Sequence, residues 1–425
     1  MQSNAASAAM NTREACVAAD ANDPLASFRA KFLLPEGELY FDGNSLGARP
    51  IGASERALDV VEREWGTDLI RSWNTNHWFD LPIRIGEKIG ALIGGGTGST
   101  VATDTTSINI FKSLAAALRI QEEDAPGRRV ILSERDNFPT DLYMIQGLAE
   151  LLDRGYELRL IDDSLSLDEA IDDDVSVVLL SHVNYRTGAL WPMAEVTAKA
   201  HANGALIIWD LCHSVGAVPV TLAEANADFA VGCTYKYLNG GPGSPAFIWV
   251  AEKHQDRFQQ PLSGWWGHSN PFAMSPEYAP ADGIRKFLCG TQPITSLAVS
   301  EIGIDIALEV DQDELRAKSL AMTELFIALV EQRLSDHPLT LITPREQELR
   351  GSHVSLRHPE GYAVMQALIA HGVIGDYREP EVLRFGITPL YLGYADVWDA
   401  VEVLRKVLDE KLWDTPEFQR RGAVT

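Results

Sequence analysis

Lys236 stands in ADFAVGCTYKYLNGGPGSPAFIWV, residues 227–250, between an apolar run that stops at Gly232 and another from Ala246 to Val250. This pattern predicts strand, turn, strand, with the lysine in the turn. An amine flanked by Tyr235 and Tyr237 near a strand end is partly shielded from water. Shielding disfavours its charged form and leaves it nucleophilic at neutral pH, able to form an imine with a carbonyl. Gly240, Gly241 and Gly243 let the chain turn tightly and approach a ligand closely. A surface lysine in a hairpin loop has the same local sequence, so this segment alone leaves both readings open.

Upstream residues narrow the choice. ALIIWDLCHSVGA puts Asp210 at the end of an apolar run. A carboxylate in an apolar wall is costly unless it meets a cation, and a protonated pyridine nitrogen is one cation that satisfies it. Capping of the next helix is the alternative. His213, just beyond, falls on the same side of the turn, although a lone histidine is more often structural. TDTTSINIFKSLAAAL opens with hydroxyl residues and runs directly into a helical pattern. The free N–H groups of that helix start, with the Thr105 and Thr106 hydroxyls, make a phosphate seat; ordinary N-capping accounts for the same residues equally well. ERDNFPTDLYMI offers Phe138 as an apolar plate and Asp141 near a helix start, against the plain alternative of a capped helix after a proline turn. Arg384, between Leu383 and Phe385, carries a guanidinium that keeps its charge and can grip a carboxylate bidentately, or else is a surface strand arginine.

The elements that position these residues follow a regular pattern. Apolar runs at 129–132, 156–161, 175–180, 205–209 and 228–232 alternate with helical patterns at 107–119, 140–152 and 193–203. Such alternation predicts an α/β domain whose mostly parallel sheet is covered by helices on both faces, with ligands gathering at the carboxyl ends of its strands. Asp104 and the threonines, Asn137 and Phe138, Ser181 and His182, Asp210 and Lys236 all follow such runs. Beyond about residue 300 the pattern changes to long helical stretches, about 295–334 and 395–412, around short strands near 339–342, 353–357 and 382–386. That reads as a smaller α+β domain. We expect residues 1–24 as a loose tail, 25–80 as an N-terminal segment joining the small domain, 81–300 as the large ligand-binding domain and 301–425 as the small domain. Residues 51–73 read as one amphipathic helix and GGGTGST as a connecting turn, since it lacks the Gly-Lys-Ser/Thr ending of a nucleotide loop.

Composition sets outer bounds. At 425 residues the chain can bury a large core, and its net charge of -24 repels nucleic acid and anionic membrane surfaces. Cys16, Cys212, Cys233 and Cys289 show neither CxxC spacing nor disulfide density, which argues free thiols in a reducing cytoplasm and no metal site. No apolar run is long enough for a membrane helix, and the N-terminus lacks the order of a signal peptide, so we expect a cytoplasmic protein.

The wording and order of DGNSLG, DTTSIN, NFPTD, SHVNYRTG, WDLCHSVGA, TYKYLNGGPGS, GWWGH, GTQP and LRFGITPLY resemble the motifs of kynureninases, pyridoxal 5'-phosphate (PLP) enzymes of the aspartate aminotransferase fold, fold type I. The similarity spans about residues 40 to 395. It implies Lys236 as the Schiff-base lysine, Asp210 as partner of the pyridine nitrogen and Phe138 as the plate stacked on the ring. Thr105, Thr106, Tyr235 and Trp265 are implied as cofactor and phosphate contacts, with Asp141, Ser181 and His213 around them. It further implies that Thr291 reaches the phosphate region of a neighbouring subunit, hence a homodimer with its active site at the interface, and that Arg384, with Ser45 and Trp73, binds substrate.

The implied reaction is hydrolysis of the Cβ–Cγ bond of L-kynurenine to anthranilate and L-alanine, in tryptophan degradation, with Tyr235 as the acid. Where the animal enzymes resemble one another in carrying histidine and asparagine near the substrate ring, the matching positions are Trp73 and Thr291. A large indole in place of short polar groups implies a preference for L-kynurenine over its 3-hydroxy derivative. The alternatives are an aminotransferase or a cysteine desulfurase on the same scaffold. A desulfurase is expected to stack histidine on the ring and to carry a reactive cysteine on a mobile loop; here Phe138 occupies the plate, and none of the four cysteines lies in an evident loop of that kind. A non-catalytic PLP-binding regulator would need a basic DNA-binding part, which this acidic chain lacks.

Overall fold

The computed structural model describes residues 10–257 and 260–422. Its centre is a seven-stranded sheet built from β1 (Thr100–Ala102), β2 (Val130–Glu134), β3 (Glu157–Ile161), β4 (Val175–Ser181), β5 (Leu206–Asp210), β6 (Phe229–Gly232) and β7 (Phe247–Val250), in the spatial order β1-β7-β6-β5-β4-β2-β3. Strands β2 to β6 pair in parallel, and β7 runs antiparallel between β6 and β1. The sequence pattern predicted this mostly parallel, helix-covered sheet.

Alternation along the strands feeds two separate cores, because successive side chains point to opposite faces. Leu132, Val178, Ile207 and Ala230 pack on one face with the helices Leu81–Leu92, Met193–Ala202 and Ile294–Leu308. Ile131, Val177, Ile208 and Val231 pack on the other with Thr106–Asp124 and Pro139–Leu152. With both faces dry, the strands read as near-continuous apolar runs.

A second sheet, of β8 (Thr340–Leu341), β9 (His353–Arg357), β10 (Asp376–Arg378) and β11 (Val382–Gly386), runs in the order β8-β9-β11-β10. Its core joins Leu356, Leu383 and Phe385 to the helices Gln312–Arg333, Gly361–Ala370 and Tyr394–Asp409, and takes in Cys16, Phe32, Phe41 and Ala48 from the N-terminal segment. Farther along that segment Val60 and Trp73 pack instead with the two cores of the large sheet, so the stretch expected as one piece over 25–80 is shared among three cores.

Three local differences have physical causes. Of the tail expected over 1–24, residues 1–9 lie outside the described residues, and Arg13–Asp20 is a helix. Thr12 caps it, Cys16 is buried, and Arg13 grips Asp399 with two bonds of 2.7 and 2.8 Å. Asp20 in turn accepts from the backbone N–H groups of Tyr394 and Ala395, capping the start of the last long helix. The helical stretch over 295–334 is two helices, broken where the Asp311 carboxylate caps a new start by accepting from Asp313 and Glu314 N–H. The stretch from 51 to 73 leaves the α-helix at Val60 for a π-helical segment, because Glu64 is drawn inside to accept from Trp78 Nε1 at 2.6 Å and from Arg56 at 2.8 Å.

Candidate active site

Parallel strands end on one edge, and the chemistry-bearing side chains gather there. Asp210 is the last residue of β5 and Ser181 the last of β4. Asp210 Oδ1 accepts from the Cys212 backbone N–H at 2.8 Å, and the Ser181 hydroxyl lies 2.7 Å from Asn137 Oδ1 and 3.3 Å from Asp210 Oδ2. Lys236 comes from the turn after β6. That turn is pressed against the N-terminal segment, where Gly47 N–H donates to Tyr235 O at 2.7 Å and a Cβ on Gly47 would meet Lys236 O at 2.2 Å. Only glycine fits such an approach. Gly241 and Gly243 beyond it hold φ of +89° and +72°, the left-handed geometry expected of this loop.

These groups face one cavity of about 690 Å³. Lys236, Asp210 and His213 line it, with Lys236 Nζ 3.5 Å from His213 Nε2 and 5.8 Å from the centre of the Tyr235 ring. Thr105 caps the helix Thr106–Asp124, its hydroxyl accepting from Ile108 N–H, so the open N–H end of that helix points into the same space. Phe138, which opens the helix Pro139–Leu152, sits on the wall with its ring edge-on to Tyr185 at 5.2 Å. Ser45, Asp141, Ser181, Thr106, Tyr235 and Thr291 complete the expected residues that line it. Thr291 lines the cavity of its own chain, whereas the resemblance gave it to the neighbour's site. Its segment is tied down by Gln292 Oε1, which accepts from Asp104 N–H at 3.0 Å.

Electrostatics separate the two carboxylates under the cavity. Asp141 is 1% exposed with Oδ2 unpartnered, and burial, then the charge of Asp210, raises its pKa well above the carboxylate range. Asp141 is therefore held as a neutral acid. Burial, then the charge of Lys236, pushes His213 well below its ordinary value. Cys233, then burial, raises Tyr235, so its hydroxyl stays protonated and able to donate.

Arg384, Trp73 and Trp265 do not line this cavity. Arg384, on β11, is 1% exposed behind it: Nε donates to Asp376 Oδ1 at 2.7 Å, Nη2 to Asp376 Oδ2 and to Ser45 Oγ at 2.9 Å, and Nη1 to Tyr185 O. It is buried and pinned, where the sequence had left a surface arginine open. Ser45 and Tyr185, which touch both the guanidinium and the cavity, connect the two. Trp73, on the short helix Ser72–Thr75, and Trp265 meet edge-to-face at 6.0 Å in a second, aromatic concavity of about 830 Å³ with Phe79, Phe272 and Met274.

Sequence reasoning missed Asp376 and Arg378, on the three-residue strand β10. Its length gave no periodic signal, although DYREP is charged next to an apolar run. It also missed Tyr185, whose position after β4 in SHVNYRTG was the available signal. Cys212 and Cys289 line the cavity too, Cys289 from a loop and half-buried, its carbonyl accepting from Trp266 N–H. Among the described residues no group of side chains is arranged to hold a metal ion.

Residues 315–404 match the family model described as the kynureninase C-terminal domain. A kynureninase of Pseudomonas fluorescens is 59% identical over 416 residues, 98% of this chain and 100% of that protein, and one of Burkholderia pseudomallei matches to the same extent. Among solved structures, a cysteine desulfurase from Thermococcus onnurineus superposes with a TM-score of 0.75 at 18% identity, covering 90% of this chain and 98% of that one. A mutant of the cystine C–S lyase C-DES, with glycine covalently linked to its PLP cofactor, does so with a TM-score of 0.75 at 15% identity, covering 88% and 98%. These two share the fold. On its identity to the curated enzymes along nearly its whole length, the chain belongs to the kynureninase family.

Proposed function

We propose that the protein is a PLP-dependent hydrolase that cleaves the Cβ–Cγ bond of L-kynurenine to anthranilate and L-alanine. The observation that carries this reading is convergence: an amine, a strand-end carboxylate and an open helix N-terminus face one cavity. Those features fit the cofactor. The Thr106 helix start and the Thr105 and Thr106 hydroxyls suit a phosphate, Asp210 suits a protonated ring nitrogen, Phe138 offers a flat apolar face, and Lys236 is placed to hold the carbonyl carbon covalently. When bound, PLP supplies an electron sink for charge developing on the substrate's Cα and Cβ.

The chain's own residues then divide the work. Lys236 Nζ takes the substrate α-proton and returns it during the cycle. Asp210, held by the Cys212 N–H and the Ser181 hydroxyl, is positioned at the cavity to face the ring nitrogen. Water adds to the side-chain carbonyl carbon; the Cβ–Cγ bond breaks, the hydroxyl stays on the carboxyl of anthranilate, Tyr235 donates a proton to Cβ to complete the methyl group of alanine, and the remaining proton of the water restores the Tyr235 hydroxyl. Arg384, oriented by Asp376, receives the α-carboxylate beside Ser45. Neutral Asp141 puts no second charge next to Asp210.

We infer a homodimer, with Trp73 and Trp265 serving the neighbour's cavity. What supports it is that the aromatic concavity holds Ile70, Phe272 and Met274, which are 77%, 66% and 79% exposed; apolar surface of that kind ordinarily meets a partner. We also infer that L-kynurenine is preferred over 3-hydroxykynurenine, and that the enzyme works in the cytoplasm. Among the described residues no helix is long and apolar enough to cross a membrane.

The deciding experiment mixes purified protein, PLP and L-kynurenine and follows anthranilate fluorescence together with alanine. Both products in equal amounts support the hydrolase; a keto acid in place of alanine makes it a transaminase.

A further inference from the structure

A buried lysine that the proposed chemistry does not use lies directly behind the phosphate seat. Lys112, on the helix Thr106–Asp124, is fully buried, and its Nζ donates to Asp104 Oδ2 at 2.5 Å and to Phe287 O at 2.5 Å. A lysine out of water is costly unless it is paired, and Asp104 is its pair. Asp104 stands just beyond β1 and directly before Thr105, the residue that caps the helix.

Asp104 is held by backbone and side chain alike. Its N–H donates to Gln292 Oε1 at 3.0 Å, its carbonyl accepts from Ala246 N–H at 2.9 Å, and its Oδ2 accepts from the Thr103 hydroxyl at 3.0 Å as well as from Lys112. Its φ of +49° is left-handed, a conformation that costs most residues with a Cβ and that Asp and Asn tolerate better than others. These bonds fix the turn, and the turn sets where the open N–H groups of the Thr106 helix face. Asp104 also lines the Lys236 cavity, its side chain 23% exposed. A carboxylate at that place opposes a phosphate unless a cation beside it cancels its charge. Of the described residues lining the cavity, no arginine and no lysine besides Lys236 could do so, and Lys236 is assigned to the carbonyl carbon. Lys112, from behind, supplies the cancelling charge.

We propose that Lys112 is a positioning residue for the cofactor phosphate: it neutralises Asp104 and pins it in the left-handed turn, so that the helix start meets the phosphate with no net anion beside it. The inference rests on the reading of the Thr106 helix start as the phosphate seat. Without Lys112 the Asp104 carboxylate loses its cation while still facing the cavity, and its field falls on the space that the phosphate takes. An ion pair that served the fold alone would act on every ligand of the cavity equally; this one acts on a single charged group.

The test titrates PLP, and pyridoxal, which lacks the phosphate, into the full-length protein stripped of cofactor, and reads each dissociation constant from cofactor absorbance. In Lys112→Met the constant for PLP is expected to rise about tenfold or more while that for pyridoxal holds. The double variant Lys112→Met/Asp104→Asn removes the orphaned charge, keeps a residue at home in the left-handed turn and should restore PLP binding. Equal losses for both ligands, or a double variant no better than Lys112→Met, make Lys112 a purely structural residue and overturn the proposal. Asp104→Asn alone keeps an acceptor for Lys112 and covers the case in which Lys112→Met does not fold. Its preference for PLP over pyridoxal should equal or exceed the native one, and a smaller preference overturns the proposal. Thr106→Val separates the two readings, since loss of a hydroxyl from the phosphate seat should weaken PLP and not pyridoxal. If it changes neither, the phosphate sits elsewhere and the proposal falls with that reading; if it weakens PLP while Lys112→Met does not, the proposal alone falls.

Discussion

Lys236 Nζ lies 3.5 Å from His213 Nε2, and the His213 ring packs against a second buried imidazole, His353, at 5.7 Å between centroids. Burial, then Lys236, lowers His213 well below its ordinary value, and burial, then Arg384, lowers His353 to about 3. The amine is thus faced by neutral rings across the working range.

A pH prediction follows from the sign of those shifts. Histidines with a depressed native pKa stay neutral while the unfolded chain takes up protons below about pH 6.5, so their contribution to stability is present above that pH and lost below it. The melting temperature should fall on acidification through that window, and His213→Gln should lessen the fall. The pH profile of kcat/KM should carry no step from His213, so His213→Gln should lower the rate without reshaping the profile. A limb that disappears in the variant would show His213 to be the titrating group.

Lys236→Ala should bind PLP only noncovalently and lose turnover by several orders of magnitude, because both the covalent link and the proton carrier go together. Borohydride reduction of the holoenzyme, followed by peptide mapping, should place the adduct on Lys236. An adduct on any other lysine removes the assignment.

Arg384→Ala should raise KM by about 2–5 kcal/mol in binding terms, roughly thirtyfold or more, because a buried hydrogen-bonded charge partner is lost. The variant also leaves Asp376 with Arg378 alone, so a lower melting temperature should accompany it. Arg384→Lys keeps the charge but not the two-bond grip on Asp376 and should fall between the two. The cofactor spectrum should be unchanged in both. Equal KM in native enzyme and Arg384→Ala would move the carboxylate site elsewhere.

The sheet was legible because its strands are dry on both faces and carry short apolar runs between amphipathic helices. The positions of Asp210, Ser181 and Lys236 were legible for a related reason, since strand ends of such a sheet collect ligands and the apolar runs mark those ends. What the sequence hid depends on tertiary contact. Nothing local says that Arg384 is pinned by Asp376 eight residues before it, or that Ser45 and Arg378 reach the same carboxylate. The helix Arg13–Asp20 looked like tail because its partners, Asp399 and the start of the last long helix, lie at the other end of the chain. Trp73 and Trp265 could be named from motifs, but their meeting outside the Lys236 cavity is a matter of how the chain folds.

That separation yields a test of the proposed dimer. If Trp265 serves the neighbour's cavity, Lys236→Ala and Trp265→Ala each impair every site of their own homodimers, yet a hybrid dimer holds one site with both residues intact. Unfolding and refolding an equal mixture should recover about a quarter of native activity from half hybrids with one good site each. No recovery above the sum of the two variants would place Trp265 in its own chain's site or outside catalysis.

The last prediction concerns the substrate ring. Trp73 presents a large apolar face, half-buried against Trp78, Trp265 and Trp266, at 6.0, 6.0 and 5.3 Å between ring centroids. Its indole offers one donor and no acceptor, so a ring bound against it finds little to pair with an added hydroxyl. Such a hydroxyl must be desolvated without compensation, at roughly 1–3 kcal/mol, or about ten- to a hundredfold in specificity. The ratio of kcat/KM for L-kynurenine over 3-hydroxykynurenine should therefore exceed about ten. Trp73→His puts a short group with a donor and an acceptor at that position and should narrow the ratio, chiefly by lowering KM for the hydroxylated substrate. Because Trp73 also packs in the aromatic cluster, Trp73→Phe serves as the packing control: it removes the indole N–H, keeps an apolar face and should preserve the preference. A native ratio near one, or a ratio that Trp73→His leaves unchanged while Trp73→Phe alters it, would take the specificity role away from Trp73.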